Sequence, residues 1–470
     1  MFDSVLVANR GEIAVRVIRT LKRLGIRAIA VYSEADAQAP HVQLADEAVA
    51  LGPAPATDSY LDIERILAAV ARSGAQALHP GYGFLSERAD FARACPVTWI
   101  GPPPAAIELL GDKLAAKRLA ADAGIATVPG IERPNLTDEE ILAWAGEHPR
   151  PLPLVVKAAA GGGGRGMRIV RTLDELPAAL SAARREALAG FGDDRLLAER
   201  YVEPARHVEI QFLADAAGGA LHLGERECSL QRRHQKLVEE CPSPVVSEDL
   251  RARMGQACVA LARAAGYTGA GTCEFLLPGD DDGEDFYFLE VNARLQVEHP
   301  VSELVYGLDL VEAQLRLAAG EPLWLEQADL VAHGHAIEAR ICAEDPARGF
   351  LPRAGRIVAY REPSGSGIRV DSGVQEGSEV TTHYDSLLCK VIAHAPARDV
   401  ALERLDQALA SLSILGPPTN AFFLRRLLAE PAVRAGELDT RLAERLPAAE
   451  PEPGRDEDAA IVAALAQTLR

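Results

Sequence analysis

The sequence predicts an α/β protein of several domains, mixed α+β over its whole length, and three observations carry that reading. At 470 residues the chain exceeds one core of ordinary size, which points to two to four domains. It opens on a strand-helix-strand unit: Ser4 to Ala8 is apolar, Glu12 to Leu24 carries Ile13, Val17, Leu21 and Leu24 at helical spacing, and Arg27 to Val31 is apolar again. Further on, Leu154-Val-Val-Lys157 and Met167-Arg-Ile-Val170 read as strands flanking a run of glycines.

The turn Ala8-Asn-Arg-Gly-Glu12 lacks the three-glycine dinucleotide fingerprint, which argues against a nicotinamide or flavin there. Apolar Ala75 to Leu78 leads into the loop His79-Pro-Gly-Tyr-Gly-Phe-Leu-Ser-Glu87, whose glycines let backbone turn sharply beside a ligand or simply make a turn. Gly101-Pro-Pro-Pro104 is a joint into a helical stretch that includes Gly111-Asp-Lys113, and Leu152 to Val202 reads as a small module. A mixed region runs on to about Ala319, a strand-rich part covers His335 to Leu388, and helical repeats of Leu and Ala follow. Pro447 to Gly454 reads as an acidic linker, and Ala459 to Leu469 as a short helical patch, either a tail or a docking helix.

Composition narrows the function. A net charge of -19 and a pI near 5.1 argue against nucleic acid or an anionic membrane as partner. The seven cysteines form no Cys-x-x-Cys pair and read as free thiols of a reducing compartment. No signal-like leader and no membrane-length apolar run stand out, so a cytoplasmic location is expected.

Two motifs suggest anion chemistry. The glycines 161 to 164, with Lys157 and Arg165 beside them, can wrap phosphate oxygens through backbone N–H groups, although no Walker-type Lys-Ser or Lys-Thr follows. From Glu290 to Glu298 a carboxylate, an amide, a guanidinium, an amide and a carboxylate occupy every second position. Fully extended, that row would span about 27 Å at roughly 3.3 Å per residue, too far for both ends to serve one phosphate. If both of its ends serve one phosphate, the strand must end near Asn292, with Arg294, Gln296 and Glu298 folding back on a loop. Gln231-Arg-Arg-His-Gln-Lys236, a basic run in an acidic chain, reads as a solvated face or an anion pocket.

Together with Asn9-Arg-Gly-Glu-Ile-Ala14, Arg206-His-Val-Glu-Ile-Gln211 and Gly271-Thr-Cys-Glu-Phe275, these segments resemble biotin carboxylase of the ATP-grasp superfamily, from about Val5 to Leu446. The resemblance implies a Rossmann-like N-terminal domain over 1–112, an ATP-grasp core over 113–319 with a mobile lid at about 130–202, and a strand-rich C-terminal domain over 335–446. The remainder, 447–470, would be linker and tail. The implied reaction is ATP-dependent carboxylation of carrier-bound biotin by bicarbonate through carboxyphosphate.

Residue roles follow from the same resemblance. Glu274, Glu290 and Asn292 would ligate two Mg2+ (or Mn2+) ions, and Lys113, Lys157 and His207 would contact ATP, with Gly163 and Gly164 over its phosphates. Glu199, Arg200, Tyr201 and Val202 would hold the adenine, with Gln231 and His234 nearby; the family commonly has Lys at the position of Arg200. Bicarbonate would rest on Lys236, Arg294, Gln296 and the Val297 backbone, and Glu298 would take its proton. Arg340 would steady the biotin enolate and Tyr82 would wall the biotin site.

The family's biotin is attached to a lysine after methionine, whereas Phe, Arg and Gly follow Met1, Met167 and Met254. A separate biotin carboxyl carrier protein and carboxyltransferase subunits are the expected partners, and the family implies a homodimer. Acetyl-CoA carboxylase is the first expected parent complex, with propionyl-CoA or another acyl-CoA next. A different ATP-grasp ligase or a non-catalytic nucleotide-binding subunit are the remaining alternatives.

Overall fold

Strand β1 (Ser4–Val7), helix α1 (Gly11–Arg23) and strand β2 (Arg27–Ser33) form in the computed structural model where the apolar spacing places them, with β1 wholly buried. The structure describes residues 1–447 apart from 132, 134, 149–151, 160–166 and 280–284. Strands β3 (Glu47–Gly52), β4 (Ala77–His79) and β5 (Thr98–Trp99) complete a parallel sheet in the order β3-β2-β1-β4-β5. The strand order reverses beside β1, and crevices for ligands form at such a switch. The loops after β1 and β4 meet there: the Asn9 amide donates to the carbonyls of Pro80 and Tyr82 at 2.7 and 2.8 Å.

Helix α2 (Lys113–Asp122), capped by Asp112, leads into a smaller antiparallel sheet. Its strands are β6 (Gly130–Ile131), β7 (Leu154–Ala158), β8 (Arg168–Val170) and β9 (Leu196–Arg200), in the order β6-β9-β7-β8. Helices α3 (Asp138–Glu147) and α4 (Leu176–Phe191) cover it around a core of its own that includes Ile141, Leu154, Val156 and Leu180. This unit occupies the stretch expected to form the lid. The glycine run lies outside the described residues.

The central sheet has eight antiparallel strands. They are β10 (Ala205–Ala214), β11 (Ala220–Arg232), β12 (Gln235–Cys241), β13 (Gly269–Pro278), β14 (Tyr287–Asn292), β15 (His335–Cys342), β16 (Ile368–Ser372) and β17 (Leu387–Ala395). The order is β14-β13-β10-β11-β12-β15-β17-β16, so the long strands of the C-terminal part extend the central sheet. β15 pairs with β12, matching Val238 to Ala339 and Glu239 to Glu338, and carries the sheet through. Sequence periodicity shows a strand's faces but not which edge it joins. The basic run at 231–236, which reads as a solvated face or an anion pocket, forms the β11–β12 hairpin, with Arg233 and His234 at φ 49° and 64° in its turn. Among the described residues no helix is long and apolar enough to cross a membrane.

Candidate active site

Three glutamates stand opposite one another on adjacent strands: Glu209 on β10 faces Glu274 on β13, and Glu274 faces Glu290 on β14. Like charges in directly paired positions destabilise a sheet, so cations must be supplied to the row. Lys236, reaching over from β12, donates to Glu209 at 2.6 Å, Glu274 at 3.0 Å and Glu298 at 2.6 Å. His207, on the same face of β10 as Glu209, brings Nε2 to 3.1 Å from Glu274. Fully buried Arg226 on β11 donates to Glu209 at 2.6 Å from behind.

The electrostatic outcome differs along the row. Burial opposes the charge on Lys236, but the surrounding carboxylates outweigh it and lift its pKa well above the usual lysine value. Burial likewise raises the Glu274 carboxyl, yet Lys236 and His207 bring it far below the ordinary range. Glu209 ends above its ordinary value, through burial first and then the charge of Glu298.

β14 ends at Asn292, as the reach argument requires, and residues 293–298 form a loop before helix α5 (His299–Tyr306) begins. Asn292 donates to Glu274 at 2.8 Å. Arg294 folds back over it, donating to Asn292 Oδ1 and Gln296 Oε1 at 2.9 Å each and to Glu87 at 3.0 Å. Gln296 in turn donates to Glu274 at 3.3 Å. Glu298 is fully buried beneath this loop, gripped by Lys236 and, at 2.9 Å, by Arg340 from β15. Burial pushes the Glu298 carboxyl up, but Lys236, Arg340 and Arg226 hold it well below the usual value. Arg340 also donates to Glu239 at 2.5 Å, and burial above all lifts that carboxyl to about 7.

The lid closes the other side of the same space. Glu199 on β9 accepts from Lys157 of β7 at 2.7 Å and from Lys117 of α2 at 2.5 Å, all three buried. Burial raises the Glu199 carboxyl, and the two ammonium groups bring it down to about 2. Arg200, Tyr201 and Val202 leave the lid strand along the cavity wall, the Arg200 guanidinium lying 5.7 Å from the Tyr287 ring centroid. Lys113 Nζ is 3.9 Å from Glu290. The Tyr82 hydroxyl donates to Glu12 at the start of α1.

One cavity of about 970 Å³ joins these groups. Lys113, Lys157, Glu199 to Val202, His207, Gln231, His234, Lys236, Glu274, Glu290, Asn292, Arg294, Gln296, Val297, Arg340 and Tyr82 all line it. Glu298 lies just behind the lining, and Gly163 and Gly164 lie outside the described residues. The sequence reading missed Glu87, Lys117, Glu209, Arg226 and Glu239. Glu209 carried a readable signal, since it shares a strand face with His207; the others reach the site only through tertiary pairing.

Three family models match in succession: the biotin carboxylase N-terminal domain over residues 1–107, the ATP-binding domain of the carbamoyl-phosphate synthase L chain over 112–326, and the biotin carboxylase C-terminal domain over 338–445. The biotin carboxylase of a Nostoc species is 48% identical over 95% of this chain and 99% of its own. The chain belongs to the biotin carboxylase family. Within that family, the propionyl-CoA carboxylase alpha chain of Ruegeria pomeroyi is 46% identical over 95% of this chain and 68% of its own. The methylcrotonoyl-CoA carboxylase subunit alpha of Oryza sativa is 49% identical, and this chain spans 60% of it. Among solved biotin carboxylases, the domain dimer of Hydrogenobacter thermophilus 2-oxoglutarate carboxylase, with MgADP, ADP and bicarbonate, superposes with a TM-score of 0.92 at 44% identity, covering 96% of this chain and 100% of that one. The Campylobacter jejuni enzyme in complex with β,γ-ATP gives 0.91 at 41% identity, covering 95% and 99%.

Proposed function

We propose that this protein carboxylates biotin presented on a carrier protein, using ATP and bicarbonate. One observation carries the reading: a buried, ionised Glu298, held by Lys236 and Arg340, lies beside the Arg294–Gln296 fork and next to an oxygen-donor set facing the lid. The same reading assigns 1–112, 113–319 and 335–446 to the N-terminal, ATP-grasp and C-terminal domains; the stretches matched by the three family models support it.

The carboxylates of Glu274 and Glu290 and the amide of Asn292 offer only oxygen, which suits Mg2+ or Mn2+. They would hold two such ions, whose charge offsets that of the nucleotide phosphates. Lys113, Lys157 and His207 bind the phosphates, and Gly163 and Gly164 cover them. The chain at Glu199 to Val202, with Gln231 and His234, holds the adenine. Phosphoryl transfer depends above all on alignment and charge neutralisation, and these residues provide both.

Bicarbonate rests against Lys236, Arg294, Gln296 and the Val297 N–H, a fork of donors matched to a planar anion. Glu298 removes its proton, the freed oxygen attacks the γ-phosphorus, and ADP leaves, giving carboxyphosphate. That compound releases CO2 and phosphate; a phosphate oxygen takes the biotin N–H proton, and the ureido nitrogen attacks CO2. Arg340 stabilises the negative charge on the biotin enolate, and Tyr82 walls the ring's site. A carrier and carboxyltransferase subunits complete the pathway of the carboxyl group, to acetyl-CoA or to another acyl-CoA such as propionyl-CoA. The dimer of the Hydrogenobacter domain supports a homodimer here.

The test is ADP release by the purified protein with Mg2+. Release that depends on bicarbonate and rises with biotin is expected, and Glu298→Ala should lose that dependence. ATP binding without such release would overturn the reading. Reconstitution with candidate carriers and carboxyltransferases across a panel of acyl-CoA esters identifies the acceptor.

A further inference from the structure

The loop that ends at Glu298 is pinned from its buried side at two successive carbonyls. His299 Nδ1 lies 2.7 Å from the Gln296 carbonyl oxygen, and Lys390 of β17 donates to the Val297 carbonyl. A carbonyl only accepts, so Nδ1 carries the imidazole proton. Both pins are fully buried.

Each pin is held in turn. Burial keeps the His299 ring neutral, down to about 3; Glu303 pulls it up, and the cations Lys390, Arg16 and Arg369 oppose that pull. Its Nε2 stays bare, 3.9 Å from Glu303. Lys390 Nζ stands 3.6 Å from Glu12 and 3.8 Å from Glu338, yet its short bond goes to neither carboxylate but to the loop backbone.

The C=O and N–H of a trans peptide point in opposite directions. The bond at the Gln296 carbonyl therefore turns the Val297 N–H away from the buried ring, and Gln296 and Val297 line the cavity on the other side. Among the described residues the Val297 N–H has no acceptor in the protein. The bond at the Val297 carbonyl fixes the next peptide plane, from which Glu298 enters α5 with its carboxylate between Lys236 and Arg340.

We propose that His299 and Lys390 are positioning residues for the bicarbonate site: the first aims the Val297 N–H at the anion, and the second sets the angle at which Glu298 meets it. This rests on the bicarbonate assignment made above. No other group needs to move, since the loop backbone is itself the donor.

Asn and Gln at position 299 separate this role from mere packing. The amide nitrogen of Asn stands where Nδ1 stands, whereas that of Gln stands where Nε2 does. The expected result is that His299→Gln raises the KM for bicarbonate about tenfold, that His299→Asn keeps it within about threefold, and that the KM for ATP hardly changes in either. Equal effects of the two substitutions, or an unchanged bicarbonate KM in His299→Gln, overturn the proposal. Should neither variant fold, Lys390→Met combined with Glu338→Gln removes the second pin together with one carboxylate it faces. A selective rise in bicarbonate KM is again expected there, and none overturns the proposal. Wild-type protein without bicarbonate-dependent ADP release would instead sink the assigned function.

Discussion

Replacing Glu199 with Gln tests what fastens the lid to the body. The carboxylate bridges Lys157 of the lid and Lys117 of α2, and its pKa falls from the ordinary 4.5 to about 2. At about 1.4 kcal/mol per unit, that depression corresponds to about 3 kcal/mol of stabilisation. The sign follows from the depressed value: the contribution is complete above pH 4.5 and is lost as pH falls toward 2. Breaking a buried pair by removing one partner costs about 3–5 kcal/mol, in the same range. Hydrogen exchange read by mass spectrometry reports the local opening of β7 and β9. At pH 7 their amides in Glu199→Gln should exchange about a hundredfold faster than in the wild type. Below pH 4.5 the gap between the two proteins should narrow, by up to about tenfold per pH unit. Equal protection at pH 7, or a gap that stays constant down to pH 3.5, would refute the reasoning.

Glu298→Gln keeps the volume of the side chain and removes its basicity, so bicarbonate-dependent ADP release should fall by about a hundredfold or more with little change in the KM for ATP. Because Lys236 and Arg340 hold this carboxyl well below its usual pKa, its protonation should limit the wild-type rate only in acid; a limb between pH 6 and 8 that Glu298→Gln abolishes would contradict this. Chelation with EDTA should stop turnover, Mg2+ or Mn2+ should restore it, and Glu290→Gln should raise the metal concentration required by about tenfold; full turnover in excess chelator would exclude the proposed metal set. A Cβ at Gly373 would lie 2.5 Å from the Glu12 backbone nitrogen and 2.7 Å from the Gly11 carbonyl carbon, so Gly373→Ala should cost about 1–3 kcal/mol, seen as a lower melting temperature.

The sequence made local geometry legible wherever a length or a period constrained it. The end of β14 at Asn292 follows from reach once both ends of the row are assigned to one phosphate, and α1 follows from the spacing of Ile13, Val17 and Leu21. What stayed hidden depends on which distant residues meet. The adenine reading of Glu199 concerns its main chain; that its side chain is the counter-charge of two lysines, Lys117 lying 82 positions away, has no signal in the sequence. Glu87 reaches Arg294 across 207 positions, and no periodicity encodes such a pairing. The joining of β12 to β15 was hidden likewise, because alternation along a strand carries no information about its neighbour.

That joint has a practical consequence for dividing the molecule. A chain cut after residue 319 would leave the backbone of β12 from Val238 to Cys241 without its partner β15. An unpaired strand edge recruits other chains, so such a fragment is expected to aggregate. The ATP-binding and C-terminal stretches that sequence matching delimits thus share one sheet and are not expected to fold apart, and inherited changes between them must preserve a shared ladder of hydrogen bonds.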